Sequence, residues 1–143
     1  MALIVDAGAL YAQADADEPR HEAVAQLLRN AREDLVTSEL AVAEADYVIL
    51  DRLGVDVELA FLADLASGAF QVACLTPAEI EQARAIVERH RDLRLGLTDA
   101  SLIILAARYR TNRMISFDER AFRAVAPLSG GAFVMLPADS VEG

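Results

Sequence analysis

The side chains in this sequence best placed to do chemistry are carboxylates. Asp6 directly follows the apolar run Ala2–Val5, and Asp118 lies two residues beyond the run Arg113–Ser116. Asp99 opens the apolar stretch Thr98–Arg108. Glu44 lies within Leu40-Ala41-Val42-Ala43-Glu44-Ala45, where Ala41, Ala43 and Ala45 leave room for something to approach. Taken singly, each aspartate is also an ordinary helix cap, worth about 0.5–2 kcal/mol, and Glu44 an ordinary solvated helix position. Gathered at one place, four acids repel one another and hold protons. A divalent cation reverses that. Magnesium takes one or two protein carboxylates and keeps several waters. One such water can be activated to attack a phosphodiester while the cation steadies charge on the phosphorus oxygens. No side-chain nucleophile is then required. None stands out, because the serines lack a histidine base: His21 and His90 are the two histidines, and both read as surface residues.

The elements that must position these acids alternate between strand and helix. Ala2–Val5 reads as a first strand, with a helix from Ala7. Asp15–Glu18 is a polar turn, and Pro19 starts a second helix carrying Val24, Leu27 and Leu28 at helical spacing. Leu35–Thr37 is a brief second strand. Ser38 caps a long helix to about Arg52, which Gly54 stops. A further helix spans Val55–Ser67, and Ala69–Leu75 is a third strand. Thr76-Pro77-Ala78-Glu79 combines a cap, a first-turn proline and a capping-box glutamate, so it starts a helix that runs to His90. The Arg-rich loop Arg91–Leu97 leads into the apolar helix Thr98–Arg108. Arg113–Ser116 and Ala132–Leu136 complete the strands, with a helical turn Glu119–Ala124 between them, and Ala138–Gly143 reads as a loose tail.

This alternation predicts a three-layer α/β/α sandwich around a central, mostly parallel sheet of four to five strands. The chain, residues 1–143, shows no linker, repeat or low-complexity tract and reads as a single domain. In such sheets ligands bind beyond the carboxyl ends of the strands, where strand order reverses. If the first and fourth strands are neighbours there, Asp6 and Asp118 face each other across one crevice.

Other acidic α/β machines fail on their residues. A phosphoaspartate receiver needs a lysine, and all 13 basic residues are arginine. The haloacid-dehalogenase type needs Asp-x-Asp after the first strand, where this chain has Asp6-Ala7-Gly8. No Gly-rich phosphate loop or dinucleotide fingerprint is present.

Hydrophobic content is 55% and mean hydropathy +0.28, yet no run approaches the roughly 20 apolar residues of a membrane span. The start MALIV lacks a basic leader, so no signal peptide is expected and a cytoplasmic location is. The single cysteine, Cys74, lies in the apolar run FQVACL and reads as a buried, inert thiol. A net charge of −10 argues against long-range attraction to nucleic acid. Local positive surface is then needed if the substrate is RNA. Arg89, Arg91 and Arg94 cluster just before the Asp99 helix, and arginine suits bidentate phosphate contact.

The same residues resemble the PIN-domain family and, within it, the VapC-type ribonuclease toxins of type II toxin–antitoxin systems. The resemblance runs from Leu3 to about Leu136. Ile4-Val5-Asp6-Ala7-Gly8-Ala9-Leu10 looks like the family's first motif, and Thr37-Ser38 with Ala43-Glu44 is similar to the second. Leu95-Gly96-Leu97-Thr98-Asp99-Ala100-Ser101 resembles the third and most specific motif. Ile115-Ser116-Phe117-Asp118 with Phe122 looks like the fourth. The resemblance implies an endoribonuclease whose catalytic acids are Asp6, Glu44, Asp99 and Asp118. It implies Mg²⁺ or Mn²⁺ on Asp6, Asp99 and Asp118, with Asp6 and Asp99 the foremost ligands. Ser38, Thr98 and Ser116 would stand as hydroxyls behind them, Ser116 in place of a frequent threonine. It further implies a homodimer and a VapB-like antitoxin that covers the site. The competing expectations are a catalytically silent PIN-like module that only binds a partner protein, and a DNA-directed metal-dependent nuclease.

Overall fold

The computed structural model describes residues 1–140. Strand β1 (Ala2–Val5) leads through Asp6 into helix α1 (Ala7–Ala14), followed by α2 (His21–Asn30) and β2 (Asp34–Ser38). Then come α3 (Glu39–Leu53), α4 (Val55–Ala66), β3 (Gln71–Ala73) and α5 (Pro77–Arg89). A 3₁₀ turn at Arg91–Leu93 precedes α6 (Leu97–Arg108), β4 (Arg113–Ile115), α7 (Glu119–Ala124) and β5 (Val134–Leu136). The sheet order is β3-β2-β1-β4-β5, and every pairing is parallel. β1 is the central strand, flanked by β2 and β4, so strand order reverses where Asp6 leaves the sheet.

Successive residues of a strand face opposite sides of the sheet. All four residues of β1 are buried, so helices cover both faces. On α6, seven consecutive residues, Ala100–Ala106, are buried, which takes this helix out of the usual one-sided pattern and seats it deep in the core. Helix starts follow the chemistry of their first residues. Thr76 and Glu79 form a complete capping box at α5. The Ser38 hydroxyl accepts from the Ala41 N–H at 3.0 Å at the start of α3. Gly54 ends α3 at φ +89°, a left-handed conformation that a side chain would strain.

Several boundaries differ from the sequence expectation. The third strand is Gln71–Ala73 rather than Ala69–Leu75. Its ladder with β2 ends at the pair Ser38–Ala73, because Ser38 turns there into α3 and leaves nothing to pair with beyond. Cys74 therefore lies past the end of an edge strand and is exposed, not buried. The second helix begins at His21, after a turn at Pro19 and Arg20. His21 and His90 are half-buried rather than free surface residues, and the His21 Nδ1 lies 2.7 Å from the Ala12 carbonyl oxygen. The tail is held at least as far as Ser140. The Asp139 carboxylate accepts from Arg123 at 2.6 Å and 2.8 Å and from the Met135 N–H at 2.8 Å. The last three residues, 141–143, lie outside the described residues. No helix among those described is long and apolar enough to cross a membrane.

Candidate metal centre

Asp6 is the N-cap of α1, fixed immediately beyond the central strand. Its backbone N–H donates to the Ile115 carbonyl at 3.0 Å, continuing the β1–β4 ladder. One carboxylate oxygen, Oδ1, accepts from the Ala7 N–H at 2.7 Å, and Oδ2 accepts from the Ser116 hydroxyl at 2.7 Å. The same Ser116 oxygen accepts the Asp118 N–H at 3.1 Å. Ser116 thus ties the acid after β1 to the acid after β4. Asp118 caps α7 by accepting from the Ala121 N–H at 3.1 Å. For these two residues the capping role and the pocket role coexist, since each oxygen has a second lone pair to offer.

Asp99 differs. It stands in the first turn of α6, but the cap position is Gly96, and the Asp99 carboxylate accepts no hydrogen bond among the described residues. Capping therefore does not account for it. Glu44 projects from the second turn of α3. The two helices are joined behind these acids by buried hydroxyls. Ser101 Oγ lies 2.9 Å from Ser38 Oγ and 2.6 Å from the Thr98 carbonyl oxygen. Thr37 donates to the Val5 carbonyl at 2.8 Å, pinning β2 to β1 one residue before Asp6. Of the expected supporting hydroxyls, Ser116 touches an acid and Ser38 acts through Ser101. Thr98 contributes its carbonyl.

All four acids line one open pocket of about 610 Å³, together with Ala7, Gly8, Tyr11, Arg20, Ala45, Val48, Phe117. None of the four is in an ion pair with another described residue. The cost falls on their protonation. Burial, followed by repulsion from Asp6, Asp118 and Glu44, pushes the Asp99 carboxyl up to about 7. Burial raises Asp6 as well, against the lowering effect of its bonds to Ser116 and Ala7. Glu44 is raised by burial and then by Asp6.

The donor set is made only of hard carboxylate oxygens, the chemistry that suits Mg²⁺ or Mn²⁺. Among the described residues no three acids, histidines or cysteines are already drawn in tightly enough to cage an ion. Magnesium does not need such a cage, because one or two carboxylates and several waters complete its shell. Unpaired, mutually repelling acids in a roomy pocket fit that mode of binding.

The expected arginine cluster lies elsewhere. Arg89 and His90 line a separate cavity of about 520 Å³ with Val125 and Leu128. Arg91 faces Glu88 at 4.0 Å, and Arg94 adopts a left-handed φ of 52° after the 3₁₀ turn. None of the three lines the acid pocket. Sequence reading missed Tyr11, Val48 and Arg20 there. Val48 is four residues from Glu44, so helical spacing from that acid could have found it, whereas Tyr11 is five residues from Asp6 and no such spacing marks it. Nothing in the sequence marks Arg20, whose position depends on the turn after α1.

A model of the PIN domain matches residues 3–128. The chain is 45% identical over 135 residues to Ribonuclease VapC26 of Mycobacterium tuberculosis (strain ATCC 25618 / H37Rv), covering 94% of this chain and all of that protein. Its fold superposes on the crystal structure of Mycobacterium tuberculosis VapC20, a sarcin-ricin loop cleaving toxin, with a TM-score of 0.78. That match covers 85% of this chain and 94% of the other at 22% identity.

Proposed function

The chain belongs to the PIN-domain family, and from that premise we propose that it is a Mg²⁺- or Mn²⁺-dependent endoribonuclease, the toxin of a toxin–antitoxin pair. The observation that carries the reading is the convergence of Asp6, Glu44, Asp99 and Asp118 on one pocket with no ion-pair partner among the described residues. Acids kept only for folding would be capped or paired, and Asp99 and Glu44 are neither. The choice of RNA over DNA is supported by the 45% identical relative being a ribonuclease.

Asp6 and Asp99 would hold the cation directly, and Asp118 and Glu44 line the same pocket. When bound, the cation supplies charge neutralisation for the phosphorus oxygens and a water acidic enough to attack near neutral pH. The protein's own residues do the rest. Ser116 and the Ala7 N–H fix both Asp6 oxygens, so the carboxylate presents its remaining lone pairs into the pocket. The Ser101–Ser38 contact keeps the Asp99 and Glu44 helices at a set separation. Without the cation, burial and mutual repulsion keep Asp99 protonated up to about 7 and raise Glu44 as well, so binding a cation here would go with release of a proton from Asp99.

A VapB-like antitoxin belongs to the same reading. Helices α3 and α4 expose Tyr47, Leu50, Val55, Leu59 and Leu62, an apolar face next to the turn that carries Glu44. A partner helix with an apolar stripe and a basic end suits that face and the −10 charge of the chain. A homodimer is part of the proposal too, and Arg89, Arg91 and Arg94 would meet a longer RNA outside the pocket.

The test is cleavage of total RNA with Mn²⁺ by the wild-type chain and by Asp6→Asn. Discrete cleavage products are expected, removed by EDTA and reduced at least about 100-fold by the substitution. Equal cleavage by both proteins would sink the reading.

A further inference from the structure

The acid pocket has one cation among its lining residues, Arg20. Four carboxylates surround the space it borders, yet it pairs with none of them. Its Nε donates instead to Glu18 at 3.0 Å, two residues back in the same turn. Its guanidinium carbon lies 3.8 Å from the centroid of the Phe117 ring. Phe117 is itself placed between Ser116 and Asp118, and its ring packs beside Gly8. The guanidinium is thus held over an aromatic face by one ion pair and one cation–π contact, each worth about 0.5–1 kcal/mol where exposed. Glu18 uses only the Nε–H. The terminal N–H groups have no protein acceptor among the described residues, and the side chain stays about half exposed, at 52%.

We propose that Arg20 is the phosphate-binding residue of this pocket: it takes a backbone phosphate of single-stranded RNA next to the bond that the acids address. This rests on the nuclease reading above and names the contact that reading lacks. An arginine kept merely as a counter-ion to the acids would pair with them. One docked on an aromatic with its terminal N–H groups unused is prepared for a two-point acceptor such as the two non-bridging oxygens of a phosphate. The site needs such a contact because the chain's net charge of −10 repels nucleic acid at a distance. Phe117 serves as the rigid seat that lowers the entropy lost when the guanidinium is fixed.

The experiment is fluorescence anisotropy with a short, labelled single-stranded RNA of random sequence, in Ca²⁺ buffer over a range of salt. It is run on the wild-type chain, Arg20→Ala and Arg20→Lys, with the Mn²⁺-induced rise in Tm measured alongside. Arg20→Ala is expected to weaken binding roughly tenfold. It should also reduce the slope of log K against log salt by about 0.7, the value for one phosphate on a single strand. Arg20→Lys should keep the slope and recover only part of the affinity, because an ammonium makes no planar fork. All three proteins should keep the Mn²⁺ shift. Unchanged affinity and slope in Arg20→Ala would overturn the role of Arg20 and leave the nuclease reading standing. Loss of the Mn²⁺ shift in that variant would overturn it too, by showing that Arg20 orders the acids. A wild-type chain that binds no RNA would overturn the nuclease reading itself.

Discussion

Acidic side chains in this molecule live in two kinds of surroundings. At the α5–α6 contact, Glu79 accepts from the Thr76 N–H at 3.0 Å and from the guanidinium of Arg108, which also reaches the Cys74 carbonyl at 2.8 Å. Arg108 foremost, and then the Thr76 N–H, bring the Glu79 carboxyl down to about 2. Arg123 does the same for Asp139 at the end of the chain, also to about 2. In the pocket beyond β1 and β4, Asp6, Glu44 and Asp99 are shifted upward, Asp99 to about 7. The chain has 13 arginines, so cations are not scarce. The difference separates acids that an arginine ties into the fold from the pocket acids, which have no arginine partner among the described residues and are candidates for a ligand from outside.

Removing an acid from each region should separate the two roles. The largest effect expected is Asp99→Asn, which should cut Mn²⁺-dependent RNA cleavage at least about 100-fold while the metal-free protein stays folded. Activity and circular dichroism on the same preparation check both halves. Ser116→Ala comes next. It deletes the hydroxyl that binds Asp6 and accepts the Asp118 N–H, and a loss of about 10- to 100-fold in activity or metal affinity is expected, as for other residues that orient metal ligands. An unaltered titration of Mn²⁺ against Tm would remove Ser116 from the site.

The two regions should also bend the pH profile of metal-free stability in opposite directions. Glu79 and Asp139 have folded values near 2, below their unfolded ones near 4, so their support is full above about pH 4.5 and fades as pH falls toward 2. Asp99 has a folded value near 7, above its unfolded value of 3.8. The folded state alone holds that proton between the two, so stability falls as pH rises from about 4 to 7. Urea unfolding in EDTA should therefore show highest stability near pH 4–5, and either Mn²⁺ or Asp99→Asn should flatten the decline above it. A profile rising steadily to pH 7 in EDTA would break the contrast. The smallest effect is Glu79→Ala, expected to cost about 1 kcal/mol through the lost capping box and to leave RNA cleavage unchanged.

How much of this was legible in the sequence varies with how local the cause is. The α5 start was fully written in Thr76, Pro77 and Glu79, which act within one turn of each other. Asp6 and Asp118 followed from strand order, because residues leaving adjacent parallel strands at the reversal must share a crevice, and β1 and β4 are adjacent. Asp99, at the start of an apolar helix, and Glu44, among small residues, could be picked out as candidates, but their sharing a pocket with Asp6 could not be derived, and Asp99 gained most from the family resemblance. Their approach depends on how α3 and α6 pack, which no local pattern states. Cys74 misled because an apolar neighbourhood in sequence was taken for burial, whereas the partner strand had already turned away at Ser38. Arg20 was invisible for the same kind of reason. Its value comes from Phe117, nearly a hundred residues later, and the two meet only in the folded chain.

The central strand has one further consequence. Asp6 is hydrogen-bonded through its backbone to Ile115 in the middle of the sheet, while Arg20 sits on an exposed turn. Local fraying is expected to open the rim of the pocket, whereas the Asp6 amide, tied to the Ile115 carbonyl beside the central strand, should exchange its hydrogen with solvent far more slowly. The Asp6 end of the pocket is therefore expected among the best protected parts of the fold in hydrogen exchange. Its rim, on the exposed turn of Arg20, is expected to open more readily, so substitutions there should disturb the Asp6 end little.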